Sequence, residues 1–426
     1  MDISLVGVNH STAPVAIREK VAINLEQLDN SLLLLSRYVP HGIILSTCNR
    51  TEVYAISSYP TEEVIINFLN TTSGASFVDL LPHIYLRENQ SAIRHLFRIA
   101  SGLDSMIIGE YEILGQVGQS LEAAENANMV LPPLRHIFQS AIRTGRQIRE
   151  ETGISRSALS VSSVAVDLAA RVVNDLENCK MLIIGAGEAG RLVAKVAQER
   201  GLSDIVVASR TIESASALVT TLGGVSTDLN NLAEELSTAN IVVACAGAPY
   251  RILDVEHVAG AMRSRPDRPL VIIDIAVPRN VEPDVTQVDN VFLYNIDDLT
   301  RTSEINRQQR EDEVQKVEQI VAAEVARCTS GWSAFRTRPV ISALMKKAED
   351  IRNQQLNRTL KKLPPLSDEE QYNLEAMTKS IVTKILQGPV RYLKANVNSS
   401  DHAEVINELF QLDIEEENEG EKSNNP

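Results

Sequence analysis

At 426 residues and 44% hydrophobic content, the chain is long enough for two or three domains with separate cores, and its ordinary glycine and proline content excludes a fibrous or low-complexity protein. A net charge of −15 excludes a generally cationic, non-specific nucleic-acid binder, while leaving room for a local basic face. Cysteines at 48, 179, 245 and 328 form no CxxC pair, "MDISLVGVNH" shows no targeting pattern, and apolar runs such as "LLLL" and "VIIDIAV" fall far short of the ~20 residues of a membrane span, so a reducing cytoplasmic setting with no membrane is expected.

Residues 1–155 read as a mixed α/β unit. "ISLVGV", "GIILS" and "EVYAIS" have strand character, while "APVAIREKVAI" and "LEQLDNSLLLLSRYV" have helical spacing. "QSAIRHLFRIASGL" predicts a helix with Ile93, Leu96, Phe97 and Ala100 on one side, and "LRHIFQSAIRTGRQIREE" predicts a longer one. In residues 156–300 the short apolar runs "KMLIIG", "DIVVAS", "NIVVACAG" and "PLVIIDIA" alternate with amphipathic stretches, the pattern of a parallel sheet covered on both faces. Residues 301–410 read as helical. Val314, Val317, Val321 and Val325 form a stripe expected to break at Pro339, and Leu344, Met345, Ala348 and Ile351 continue beyond it. Ser367 and Glu370 form a capping box, and Leu374, Met377, Ile381 and Ile385 recur until Gly388-Pro389. These stripes need partners, so a helical dimerisation domain is the economical reading. Residues 411–426 form an acidic tail expected to be disordered.

"KMLIIGAGEAGRLVAKVAQ" places G-x-G-x-x-G between a strand and a helix. Gly185 permits the turn, Gly187 lets the backbone approach a pyrophosphate, and Gly190 allows close packing. Ala186, Glu188 and Ala189 complete the loop beneath the helix N-terminus. After "DIVVAS" come Ser209, Arg210 and Thr211, where an NAD site usually has an acid. Arg210 can pair with a 2′-phosphate, which favours NADP(H).

Of the cysteines, Cys48 follows a strand into the polar stretch "STCNRTE". A thiol at a strand end is ordinarily packing. Arg50, two residues on, would favour thiolate if brought close. The stretch "HLFRIASGLDSMIIGEYEILGQ" adds His95, Ser105, Glu110, Tyr111, Glu112 and Gln116, with Gly102 and Gly109 interrupting a helical pattern.

"STCNRTE", "ASGLDSMIIGE", "EILGQV", "GAGEAG" and "DIAVPRNVEP", in this order, closely resemble the glutamyl-tRNA reductase family, over essentially the whole chain to about residue 410. The resemblance implies NADPH-dependent reduction of glutamyl-tRNA to glutamate-1-semialdehyde with release of tRNA, the first step of five-carbon tetrapyrrole synthesis. It implies a V-shaped homodimer. Its parts would be an α+β catalytic domain, a Rossmann-like NADP-binding domain with a parallel sheet, and a helical dimerisation domain on a long spinal helix. It places the nucleophile on Cys48, the activity-linked histidine on His95, and glutamate recognition on Thr47, Cys48, Asn49 and Arg50. Further substrate contacts fall on Ser105, Glu110, Tyr111, Glu112 and Gln116. The family commonly has Gln where this chain has Glu112. Such chemistry requires no metal, and glutamate-1-semialdehyde aminotransferase is the implied recipient of the product.

The chemistry of these residues agrees: a thiolate can displace tRNA to form a thioester that accepts hydride, Arg50 can fork a carboxylate, and His95 can move a proton to or from the leaving oxygen or the thiol. Arg135, Arg143, Arg146, Arg149 and Arg156 form a basic stretch, with 143, 146 and 149 on one helix side, a plausible phosphate-contacting face. Two other readings stay open at this level: a small-molecule dehydrogenase with a structural Cys48, and a non-catalytic nucleotide- or tRNA-binding regulator.

Overall fold

The structure, a computed structural model, describes residues 2–57, 60–74, 76–154, 160–173, 175–299, 311–395 and 400–412. Arg156 and the tail from 413 onward lie outside the described residues. Met1–Val325 form one compact unit and Ala326–Pro426 a second.

In the first unit, alternating apolar residues build a four-stranded sheet in the order β2-β3-β1-β4, from β1 (Asp2–Asn9), β2 (Gly42–Ser46), β3 (Arg50–Ser57) and β4 (Tyr85–Glu88). Its resolved pairings are antiparallel. Helices Asn89–Ala100 and Pro132–Glu151 pack tightly, because a Cβ on Gly145 would lie 2.4 Å from the Ala100 carbonyl oxygen.

A second sheet follows, with six strands in the order β10-β9-β8-β5-β6-β7. These are β5 (Lys180–Ile184), β6 (Asp204–Ser209), β7 (Val225–Asp228), β8 (Ile241–Ala244), β9 (Leu270–Asp274) and β10 (Val291–Asn295), all paired in parallel. Both faces are buried by apolar clusters, as continuous Val/Ile/Leu strands require. Strand order reverses between β5 and β8, and ligands of such sheets bind at the crevice outside the strand ends at that point.

The helix Glu311–Leu360 runs through Pro339, where a break was expected. Its Val317, Val321 and Val325 are buried within this one chain, so that stripe needs no second copy. In the second unit, Val340, Leu344, Leu386, Leu393, Ile406 and Leu412 form a core. Helix Asp368–Ala395 also passes through its proline, Pro389, where a stop was expected. Leu386 and Leu393, buried on either side, hold the helix across the missing N–H. The Ser367–Glu370 capping box is present, with Glu370 N donating to Ser367 Oγ at 3.3 Å and Ser367 N to the Glu370 carboxylate at 2.8 Å.

Candidate active site

Cys48 sits at the tip of the hairpin joining β2 to β3. Thr47 N donates to the Arg50 carbonyl at 2.8 Å, closing the turn, and Thr47 Oγ1 accepts from Asn49 N at 3.1 Å. The end of β1 supports the loop, with His10 N donating to the Asn49 carbonyl at 2.8 Å. The half-buried Cys48 packs against Val15, Met106 and Ile296.

Arg50 and Glu52 project on the same face of β3, two residues apart. Gly7 lies opposite Glu52 on β1, and a Cβ there would come within 2.7 Å of Glu52 Cγ, so only glycine leaves room. Glu52 Oε1 accepts from Arg50 Nη1 at 2.9 Å, Tyr85 Oη at 2.5 Å and His95 Nε2 at 3.0 Å, and Oε2 accepts from Tyr54 Oη at 2.8 Å. Fully buried, the carboxyl would be pushed up, but His95 and Arg50 overcome this and hold it at about 2. His95 turns its other nitrogen, Nδ1, to Asp104 Oδ2 at 3.3 Å. Burial pulls His95 down, but Glu52 and Asp104 outweigh it and raise it above its ordinary value, which favours the charged form between two carboxylates. Arg98 binds Asp104 Oδ1 through Nε at 3.0 Å and Nη2 at 2.8 Å. Arg50 Nη2 donates to the Asp104 carbonyl at 2.5 Å and closes the ring.

Arg50 therefore turns away from Cys48. The cation acting on the thiol is Arg18, whose Nη1 donates to the Cys48 carbonyl at 2.5 Å. Burial pushes the thiol up to about 12, and Glu110 and Glu112 add to this against Arg18. Burial and the neighbouring Glu112 raise Glu110 to about 7, although Ser105, Arg50 and Arg149 pull the other way. Glu112 is raised by burial and by Glu188, the first residue of the glycine-loop helix, so the two halves of the site meet electrostatically. Among the described residues, His10 Nδ1, Asn49 Oδ1 and Arg50 Nε are buried without a hydrogen-bond partner, which leaves polar capacity for a bound ligand.

In the nucleotide half, Gly185 has φ +122° and abuts Ala246 beyond β8, where a Cβ would sit 2.8 Å from Ala246 N. A Cβ on Gly190 would lie 2.1 Å from the Gly185 carbonyl oxygen, so glycine permits the close helix–strand approach. At Gly187 a Cβ would meet nothing within 4 Å, which leaves open space over the N-terminus of helix Glu188–Glu199. Ala186 and Ala189 pack on the core beneath. Ser209 ends β6, and Arg210 and Thr211 are exposed beyond it, Arg210 lying 3.6 Å from Glu26. These residues fit a dinucleotide, with a tight turn, an open helix end and no acid at 209–211. Among the described residues, no group of three or more His, Cys, Asp or Glu is placed to hold a metal ion, and no single helix is long and apolar enough to cross a membrane.

The structure thus gathers Thr47, Cys48, Asn49, Arg50, His95, Ser105, Glu110 and Glu112. Gln116 lies half-buried one turn after Glu112, and Tyr111 is 61% exposed beneath Arg149, whose guanidinium carbon is 6.0 Å from the ring centre. Arg149 itself leaves the expected basic face. It donates to the carbonyls of Ala100, Gly145 and Glu110 at 2.9–3.1 Å, whereas Arg143 and Arg146 are exposed. Sequence reasoning missed His10, Arg18, Glu52, Tyr54, Tyr85, Asp104 and Asp297. The alternation of Arg50 with Glu52 was a signal for one of these. His10, near Arg50 and Arg18, is lowered to about 4, first by burial, and stays neutral.

Residues 6–152 match the family model described as glutamyl-tRNAGlu reductase, N-terminal domain; residues 167–302 match shikimate/quinate 5-dehydrogenase; residues 316–412 match the glutamyl-tRNAGlu reductase dimerisation domain. The glutamyl-tRNA reductase of Natranaerobius thermophilus is 37% identical over 97% of this chain and 93% of that protein. That of Rubrobacter xylanophilus is 37% identical over 97% of each. Among solved structures, glutamyl-tRNA reductase from Methanopyrus kandleri is 31% identical, with a TM-score of 0.52, over 95% of this chain and 99% of that one.

Proposed function

This chain belongs to the glutamyl-tRNA reductase family, and from that membership we propose that Cys48 is the nucleophile through which it turns the aminoacyl ester of glutamyl-tRNA into glutamate-1-semialdehyde. That reduction is the first step of tetrapyrrole biosynthesis. The observation carrying the site assignment is the half-buried thiol on the loop whose Asn49 Oδ1, and the Arg50 Nε that follows it, are buried and unpartnered.

Arg50 has spent one N–H on Glu52 and one on the Asp104 carbonyl, and its Nε edge remains to bind the substrate side-chain carboxylate. The Glu52–His95–Asp104 ring holds Arg50 rigid and charged. Glu112 receives the α-ammonium, whose positive charge also eases ionisation of the thiol. Glu110, titrating near 7, takes the thiol proton, in the range suited to a general base. Cys48 sulfur then attacks the ester carbon, the ribose oxygen leaves with the proton from Glu110, and a thioester remains. Gly185, Gly187 and Gly190 would hold NADPH, with Arg210 available to pair with its 2′-phosphate, and the bound cofactor would supply the hydride that reduces the thioester. Collapse releases the aldehyde and returns Cys48.

The C-terminal unit serves self-association into a homodimer. Met377, Ile381 and Ile385 are 52, 49 and 66% exposed along one helix. The reactive aldehyde would pass to glutamate-1-semialdehyde aminotransferase.

The test compares wild type with Cys48→Ser, each given glutamyl-tRNA labelled in glutamate and NADPH. NADPH oxidation and thiol-labile label on acid-quenched wild-type protein, both absent in a folded variant, are expected. Normal turnover by the serine variant would make Cys48 packing and end this mechanism.

A further inference from the structure

Arg18 is 2% exposed and has no role in the mechanism above. It lies on helix Val15–Val21, in the catalytic half, and each of its three guanidinium nitrogens has a partner. Nε donates to the Ala13 carbonyl at 3.2 Å, Nη1 to the Cys48 carbonyl at 2.5 Å, and Nη2 to Asp297 Oδ1. Asp297 follows β10 of the nucleotide-binding sheet, and its other oxygen accepts from Val15 N at 3.0 Å, binding the first residue of the same helix. One turn of helix is therefore held to the nucleotide half by Asp297 while its arginine holds the loop that carries the thiol. A separate pair joins the halves nearby. Glu19 accepts from Arg279 Nε at 2.9 Å and Nη2 at 2.7 Å, without touching Cys48.

We propose that Arg18 is a positioning residue for the Cys48 nucleophile, and that Asp297 is the counter-ion through which the nucleotide-binding half sets it. The proposal rests on Cys48 being the reactive thiol. A buried guanidinium bonded to the loop carbonyl fixes the turn and places a positive charge beside the sulfur. The charges facing that sulfur are Arg18 from its helix, and Glu110 and Glu112 from the segment after helix Asn89–Ala100. Asp297 stands behind Arg18. His10, at the end of β1, is neutral, and Arg50 is engaged with Glu52. With two carboxylates opposing it, Arg18 is the charge that lowers the cost of ionising the thiol, and Asp297 moderates it. When the nucleotide half is docked, one guanidinium ties cofactor binding to nucleophile geometry.

This predicts effects of opposite sign, which general loosening would not produce. Full-length protein is treated with iodoacetamide at pH 8.5, without substrate, and alkylation of the Cys48 peptide is followed by mass spectrometry. Arg18→Gln is expected to slow alkylation about tenfold, the effect of losing one nearby opposite charge. Arg18→Lys, which keeps the charge, restores most of the rate. Asp297→Asn speeds it several-fold. Glu19→Gln, which breaks the neighbouring pair and whose charge acts on Arg18 less than that of Asp297, changes it much less than Asp297→Asn does. A folded Arg18→Gln variant alkylating at the wild-type rate overturns the proposal, as does slowing of equal size in Glu19→Gln. If Arg18→Gln does not fold, Asp297→Asn decides: acceleration supports the proposal and any other result rejects it. Alkylation does not depend on turnover, so this outcome is separable from that of the Cys48→Ser experiment.

Discussion

Glu52 is a fully buried carboxylate surrounded by the donors of Arg50, Tyr54, Tyr85 and His95. Breaking one member of such a buried set is costly because the others stay charged or unpaired. Held at about 2 rather than its ordinary 4.5, Glu52 contributes about 3 kcal/mol at neutral pH. Its folded value is depressed, so this stability is present above about 4.5 and is lost as pH falls toward 2. Glu52→Gln should therefore lower unfolding stability by about 3 kcal/mol at pH 7 in a urea titration, with the gap closing as pH falls from about 4.5 toward 2. A constant gap across that range would place the loss in packing rather than charge. Cys48 and His95 were assigned through the resemblance of their motifs, since by residue type alone a thiol at a strand end reads as packing and a lone histidine as structural. Glu52 sat inside the quoted motif unassigned, because its worth depends on Tyr85 and His95, which arrive from other elements.

At the scale of elements, the segment after helix Asn89–Ala100 shows what glycine decides. Gly102 and Gly109 have φ +78° and +83°, and Gly109 N donates to the Gly102 carbonyl at 3.0 Å, which pinches the segment that presents Ser105 and Glu110. A Cβ on Gly109 would fall 2.1 Å from the Ile154 carbonyl oxygen, where only backbone could yield. Gly109→Ala is expected to cost at least about 2 kcal/mol from conformation and clash together, read by thermal unfolding. Gly115, exposed in helix Glu112–Asn126 with nothing within 4 Å of its Cβ position, gives the opposite sign: Gly115→Ala should stabilise by roughly 0.5–1 kcal/mol. Equal effects at the two sites would mean that the pinch does no work. The interruption was readable from sequence as a kink or close approach. The edge strands "YLRE", "VSTD" and "VFLYN" were not: the first two lack a continuous apolar run, and the third has one of only four residues, too short for its type to be told. The two prolines misled for another reason: each removes one hydrogen bond, and burial of neighbours outweighs that loss.

At the scale of the molecule, the pairs that join the two sheets, Arg18 with Asp297 and Glu19 with Arg279, link residues separated by 279 and 260 positions. Neither partner is distinctive alone, and no pattern in a single sequence couples them. Net charge misleads in a similar way. A chain at −15 must still bind a polyanion, so its cations have to be divided between structure and substrate. The fold makes that division on helix Pro132–Glu151. Arg149 is turned inward to three backbone carbonyls, while Arg143 and Arg146 stay exposed. Arg135 is partly neutralised by Glu125 at 2.5 Å. If Arg143 and Arg146 each meet a phosphate, Arg143→Ala with Arg146→Ala should raise KM for glutamyl-tRNA several-fold at 100 mM salt with kcat unchanged. The slope of log affinity against log salt should fall by about 1.5. Arg149→Ala should instead lower stability, because the Glu110 and Ala100 carbonyls lose their donor, and leave that slope unchanged. An unaltered salt slope in the double variant would remove this helix from the tRNA contact. A slope that falls only with Arg149→Ala would mean that the inward arginine is released when tRNA binds.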